Sequence, residues 1–292
     1  MKPQVALDEL SDLGKDLIHP SSVPYAWQIN GKNSGPKVTV LGAIHGNETI
    51  GIPILAQLLQ TPIQSGTLNL AVGNPKAFLQ GTRGTKADIN RCIGQKGETY
   101  EHQRGGELSP ILAATDVLID LHATIKPSNP FLVVAGIQHQ LAHCIAHLGV
   151  PFTLTGQGVY APDGSAICTD TFTASKGGLG ITVEAGWLQD PKTADIQHGV
   201  TQALKALGLI EHAETLPKPP PLEIVDCYQA IGATGPDFQF TEDWQNFQSI
   251  PAGTIFAHDG EIALATTRDS KIVFPKSGKL LPGTIACILA AT

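Results

Sequence analysis

The chain has 292 residues, 42% of them hydrophobic and 15% charged, which is enough apolar material for a buried core in one large domain or two and excludes a disordered chain. Lysine and arginine number 19 against 26 acidic residues, a formal charge of -7 with no basic run to follow a phosphate backbone, so nucleic acid is not an expected partner. No apolar stretch approaches the roughly 20 residues of a membrane span, and Met1 to Asp8 lacks the apolar core of a secretory signal. A cytoplasmic protein without a membrane segment is expected, and its composition is compatible with a homo-oligomer.

Taken in chain order, the first two thirds alternate short apolar runs with helical patterns, the signature of an α/β sheet containing parallel pairs. Strands are predicted at Val38 to Ile44, Thr67 to Val72, Val117 to Leu121, Phe131 to Ala135 and Ile181 to Glu184. Between the first two, Ile50, Ile54, Leu55, Leu58 and Leu59 mark one helix face, with Pro53 in its first turn. Ser109-Pro110 reads as a cap and first helical position, opening a short helix before the Val117 strand. A further helix is predicted from Ile196, Val200, Leu204 and Leu207, closing at Gly208. Leu216-Pro-Lys-Pro-Pro-Pro221 is a stiff extended linker, and beyond it strands at Glu261 to Thr266, Lys271 to Phe274 and Thr284 to Leu289 alternate with turn signals. The expected organisation is a domain over residues 1–215 and a smaller β-rich domain over 216–292.

Two strand ends deliver metal-ligating side chains. The first run ends in His45-Gly46-Asn47-Glu48, where Gly46 lets the backbone turn sharply so that His45 and Glu48 converge; the run Val117-Leu-Ile-Asp-Leu ends in His122. Such ends are where ligands collect in open α/β sheets. Three ligands with an open fourth position are what a catalytic zinc needs, and zinc so held brings the pKa of water toward about 7. On spacing alone a plainer account stands beside this one, with Gly-Asn-Glu a turn and His122 a satisfied core histidine. Arg83 in Gly-Thr-Arg and Arg91 in Asp88-Ile-Asn90-Arg91 are suited to gripping a carboxylate or stabilising an oxyanion, or equally to surface ion pairs. Glu184, at the end of another apolar run, suits a base that moves a proton from water to a leaving amine.

His139, His143 and His147 recur every fourth residue, which puts three imidazoles on one face of an expected helix, read as a solvated stripe opposite Leu141, Ile145 and Leu148. The five cysteines are dispersed, odd in number and never spaced Cys-x-x-Cys, so they are expected to be reduced packing groups.

The order His-Gly-Asn-Glu, Asn-Pro, Gly-Thr-Arg, Asp-Ile-Asn-Arg, Asp-Leu-His and Val-Glu-Ala-Gly, from about Val38 to Gly186, resembles the succinylglutamate desuccinylase and aspartoacylase family, relatives of zinc carboxypeptidases. The resemblance implies a zinc-carboxypeptidase-like mixed sheet with flanking helices, followed by that family's β-rich second domain. It implies one zinc per chain on His45, Glu48 and His122, with Asp88 orienting His45. It further implies Glu184 as general base, Arg83 on the scissile carbonyl, and Asn90 and Arg91 on the substrate carboxylate. The expected reaction is hydrolysis of the amide of a small N-acyl amino acid; a metallocarboxypeptidase acting on short or modified peptides and a non-catalytic zinc-binding protein are the alternatives. One departure stands out. Aspartoacylase-like members carry an arginine about ten residues before the catalytic glutamate, and Thr171 to Lys176 here holds none; Lys176 supplies a charge without the guanidinium fork. Tyr160 falls where a substrate-contacting tyrosine would fit.

Overall fold

A computed structural model of the chain describes residues 2–156, 168–211 and 216–291. In chain order its helices and strands are α1 (Pro3–Leu13), β1 (Ala26–Asn30), β2 (Asn33–Gly42), α2 (Gly51–Leu59), β3 (Ser65–Val72), α3 (Pro75–Gln80), α4 (Tyr100–Ala113), β4 (Val117–Thr124), β5 (Phe131–Ala135), α5 (Cys144–His147), β6 (Phe152–Thr155), α6 (Thr169–Ser175), β7 (Leu179–Trp187) and α7 (Thr193–Ala206). After the proline-rich segment come strands alone: β8 (Glu223–Gly232), β9 (Phe238–Phe240), β10 (Ser249–Ile250), β11 (Ile255–Asp259), β12 (Ile262–Ala265), β13 (Ser270–Val273) and β14 (Ile285–Ala291).

Eleven strands form one mixed sheet in the order β1-β3-β2-β4-β7-β5-β6-β8-β14-β13-β10. Its centre, β3-β2-β4-β7, is parallel, and every residue of β4 is buried. Strands covered on both faces read as continuous apolar runs, which is why these were legible without alternation. The sheet does not stop at the linker, because β8 pairs in parallel with β6 and antiparallel with β14. A separate three-stranded sheet, β12-β11-β9, closes the β-rich end. Among the described residues no helix is long and apolar enough to cross a membrane. The five cysteines are unpaired.

The helix expected to open at Ser109-Pro110 instead begins ten residues earlier, with Thr99 as N-cap and Pro110 inside it. Gly105 and Gly106 look like breakers in sequence, yet a Cβ at Gly105 would come 2.5 Å from the carbonyl oxygen of Cys92, so the glycine serves close packing. Proline leaves the carbonyl of Gly106 without its helical donor, and the Ser109 hydroxyl donates to that oxygen at 3.1 Å. The histidine helix is also corrected. Residues 137–143 are turns and only Cys144–His147 is helical. His139 Nδ1 accepts from the Leu141 N–H at 3.1 Å, while His143 Nε2 lies 3.2 Å from the last carbonyl of α7, at Ala206. The three imidazoles therefore share no helix face, although Ile145 and Leu148 are buried as expected.

Gly46 works differently from expectation. The left-handed backbone at this bend belongs to Ala43, at φ 52°, while a Cβ on Gly46 would lie 2.1 Å from the backbone of Ala77 and Phe78. Gly46 lets the His45–Glu48 loop lie flat against α3. We expect Gly46→Ala to lower stability by about 1–3 kcal/mol through overpacking against backbone, measured by urea unfolding, whereas Gly106→Ala, with open space around it, should not destabilise the protein.

Candidate metal and active site

β2, β4 and β7 lie side by side, and their carboxyl ends carry the residues singled out above. His45 and Glu48 follow β2, and His122 stands on β4 directly in register with Glu184 on β7. Paired residues of adjacent strands point to the same face, so Glu184 flanks the His-Glu-His group. Ligand atoms of His45, Glu48 and His122 all lie within 4.8 Å of one another, and all three residues are buried.

Glu48 is the hub. His122 Nδ1 lies 2.9 Å from its Oε2, the Ala123 N–H donates to the same oxygen at 3.2 Å, and Arg83 Nη1 donates to Oε1 at 3.2 Å. His45 Nδ1 stands 3.0 Å from Oε1 but makes no hydrogen bond there. Burial opposes charge on Glu48, and the His122 hydrogen bond together with the closeness of both histidines outweighs it, holding the carboxyl well below the usual range. Each imidazole has its own carboxylate behind it. His45 Nε2 lies 3.2 Å from Asp88 Oδ1, and His122 Nε2 lies 3.0 Å from Asp120 Oδ2. Two ring nitrogens and a carboxylate aimed at one buried point, with a carboxylate against the far nitrogen of each ring, suit a divalent cation with nitrogen and oxygen ligands.

Glu184 has a different environment. Its Oε2 is buried without a hydrogen-bond partner among the described residues, and burial pushes its carboxyl up to about 7 despite the nearby histidine charges.

The loop carrying Arg83, Asp88, Asn90 and Arg91 is organised by a residue the sequence reading passed over. Glu101, in the first turn of α4 and fully buried, accepts from the Thr85 N–H at 2.7 Å, the Thr85 hydroxyl at 2.8 Å, Asn74 Nδ2 at 3.3 Å and the Ala87 N–H at 3.3 Å. Arg83 bridges Glu48 and Asp88, with Nη2 3.0 Å from Asp88 Oδ2. Asp88 caps the turn by accepting from the Asn90 N–H at 3.0 Å. Asn90 is buried, its Oδ1 accepting from the Thr169 N–H at 3.4 Å, while Arg91 Nη1 donates to Cys168 Sγ at 2.9 Å.

Of the remaining expected substrate contacts, one is placed by the structure. Lys176 ends α6 at the opposite end from Cys168, its ammonium 5.3 Å from the centre of the Phe172 ring. Tyr160 lies outside the described residues. A cation that was not anticipated does approach. Burial and the Arg83 guanidinium push the Lys276 ammonium below its ordinary value, which puts this lysine of the β13–β14 connection in the field of Arg83. No local motif marks it, because its position depends on how the C-terminal strands pack.

Residues 34–209, more than half of the chain, match the model of the succinylglutamate desuccinylase/aspartoacylase catalytic domain. The chain belongs to this family. A succinylglutamate desuccinylase of Pseudoalteromonas atlantica is 26% identical over 89% of this chain and 82% of that protein, and a probable aspartoacylase of Nostoc sp. is 28% identical over 51% of this chain and 55% of that one. The fold is shared with the succinylglutamate desuccinylase of Vibrio parahaemolyticus, at a TM-score of 0.74 and 19% identity over 92% of this chain and 86% of that chain. An ectoine utilization protein of Ruegeria pomeroyi has the same fold, at 0.68 and 18% over 91% and 88%.

The Glu101 hydrogen bonds set a pH-dependent expectation. Burial works against its charge, but the Thr85 and Asn74 donors prevail and depress the pKa. A depressed carboxyl contributes stability that is fully present above the unfolded value of about 4.3 and is lost as pH falls through the folded value. Glu101→Gln should cost about 1.5–3 kcal/mol at pH 7 and flatten the acid limb of a stability–pH curve, read by urea unfolding between pH 7 and pH 3.

Proposed function

We propose that the chain is a zinc-dependent hydrolase that cleaves the amide bond of an N-acyl amino acid or similar small carboxylate, with one zinc per chain on His45, Glu48 and His122. Residues 1–215 act as the catalytic domain and 216–292 as a β-rich companion, a division supported by the proline-rich segment and the strands-only pattern after it. The observation that carries the reading is Glu184, a buried carboxylate with an unpartnered oxygen, in register with His122 beside a ready-made ligand group. Metal binding alone would have no use for it.

Bound zinc supplies Lewis acidity toward water and carbonyl oxygen. The chain's residues do the rest. Glu184 takes the proton of the attacking water on its carboxylate and returns it to the departing nitrogen, for which a value near 7 is suited. Arg83, already turned toward Glu48 and half-exposed, offers N–H donors to the carbonyl oxygen as negative charge gathers there. Asn90 and Arg91 hold the substrate carboxylate, with Arg91 giving up the weak thiol acceptor Cys168 for a charged one. Asp88 keeps His45 in place through Nε2.

The test is a panel of N-acetyl, N-formyl and N-succinyl amino acids beside short peptides, with release followed by mass spectrometry. We expect one acyl-amino-acid class to be cleaved, activity to vanish on chelation and return with zinc, and Glu184→Gln to retain zinc while losing about 10²–10⁴-fold in kcat. His122→Ala should lose both metal and turnover. Cleavage of peptides alone, or a Glu184→Gln protein at near wild-type rate, would overturn the reading.

A further inference from the structure

The two ligand histidines are supported unequally. Asp88, behind His45, is part-exposed and shares its other oxygen with Arg83. Asp120, behind His122, is completely buried, with Oδ1 unpartnered among the described residues. His122 Nε2 stands 3.0 Å from Asp120 Oδ2 outside hydrogen-bond geometry, and the hydrogen bond recorded to Asp120 is donated by the hydroxyl of Thr169, at 2.5 Å from the same oxygen. A ligand imidazole that gives Nδ1 to a metal must carry its proton on Nε2, and a buried N–H needs an acceptor held in place. Thr169 is the side chain that holds that acceptor.

Thr169 also acts on the other half of the site. It is the first residue of α6, fully buried, and its backbone N–H donates to Asn90 Oδ1 at 3.4 Å. That bond holds the carbonyl end of the Asn90 side chain against the start of α6. One residue therefore touches both the carboxylate behind a metal ligand and the amide assigned to the substrate carboxylate. Its neighbours fix it there: Thr173 Oγ1 donates to the Thr169 carbonyl at 2.9 Å, and a Cβ at Gly180 would lie 2.2 Å from the Asp170 carbonyl oxygen, so α6 lies directly on β7.

The geometry points to Thr169 as a positioning residue that acts through Asp120 on His122, coupling metal retention to the α6 helix that also holds Asn90. The inference rests on His45, Glu48 and His122 binding a divalent metal. Removing the hydroxyl at constant shape leaves Asp120 without its buried donor and frees it to turn from His122. Losses of about 10–100-fold in metal affinity are typical when such outer partners are removed.

The experiment measures zinc affinity by competition with a chromophoric chelator for the full-length wild type, Thr169→Val, Thr169→Ser, Asp120→Asn and the Thr169→Val/Asp120→Asn double variant, with thermal unfolding of each metal-free protein alongside. Thr169→Val should bind zinc about 10–100-fold more weakly, and Thr169→Ser, which keeps the hydroxyl, should stay close to wild type. The double variant should be no weaker than Asp120→Asn alone, since the two changes break one chain of contacts. A purely structural threonine would lower metal-free unfolding temperature while leaving zinc affinity within about twofold in Thr169→Val, and that result, or additive losses in the double variant, would overturn the inference. Wild-type protein that binds no zinc would overturn the metal reading and this inference together; wild-type binding matched by Thr169→Val would overturn this inference alone.

Discussion

Glu48 sits between two imidazoles in a buried pocket, and the architecture around it answers the electrostatic problem this creates. An ionised carboxylate taken out of water is costly unless it is paired and hydrogen-bonded. Here His122, the Ala123 N–H and Arg83 supply donors, while His45 stands close enough to contribute its charge. Each donor comes from a different part of the chain. The parallel pairing of β2 with β4 sets His45, Glu48 and His122 at one sheet edge, and the Glu101-bound loop returns Arg83 and Asp88 to it. The rings of His45 and His122 meet edge to face with centroids 4.9 Å apart, a spacing that leaves their Nδ1 atoms facing one carboxylate.

What the sequence shows plainly is whatever depends on short-range pattern. The parallel strands β2, β3, β4 and β7 are unbroken apolar runs because both faces are covered, and the histidines stand at run ends where a motif can be seen. What it hides depends on approach between distant segments. α4 reads as broken at Gly105, Gly106 and Pro110, yet one glycine makes room for Cys92 and a serine repairs the carbonyl the proline leaves. The histidine repeat has helical spacing, but His143 is drawn to the end of α7. Glu101 and Thr169 carry no local signal, since a buried glutamate in a first helical turn and a threonine opening a helix each have ordinary local explanations, and Asp120 shows only as part of Asp-Leu-His without its partner. Their role appears only when β4, α4 and α6 are seen around the same loop.

Charge is distributed against the net balance. The chain is acidic overall, at -7, yet Arg83 lies against Glu48 at the ligand group and acts on the Lys276 ammonium. Arg91 meets a thiol rather than a carboxylate, and Lys276 has no ion-pair partner among the described residues. Burial and the surrounding acidic groups act on Arg91 in opposite senses and leave its guanidinium firmly protonated. Cations held beside a buried site attract small anions.

The C-terminal strands are part of the site's physics. Phe131 on β5 is paired in register with Glu184, and the rings of Phe247 and Phe274 pack edge to face against Phe131 at 5.0 and 5.4 Å. Phe247 also stacks on Phe152 at 4.5 Å, and Asn246 fixes this wall by donating to the Ser128 hydroxyl and accepting from the Phe274 N–H. Residues more than sixty positions beyond Glu184 thus pack on the residue paired with it. Burial is the largest influence on the Glu184 carboxyl. The continuous sheet from β6 into β8 holds this aromatic cluster in register with the strand that carries Glu184.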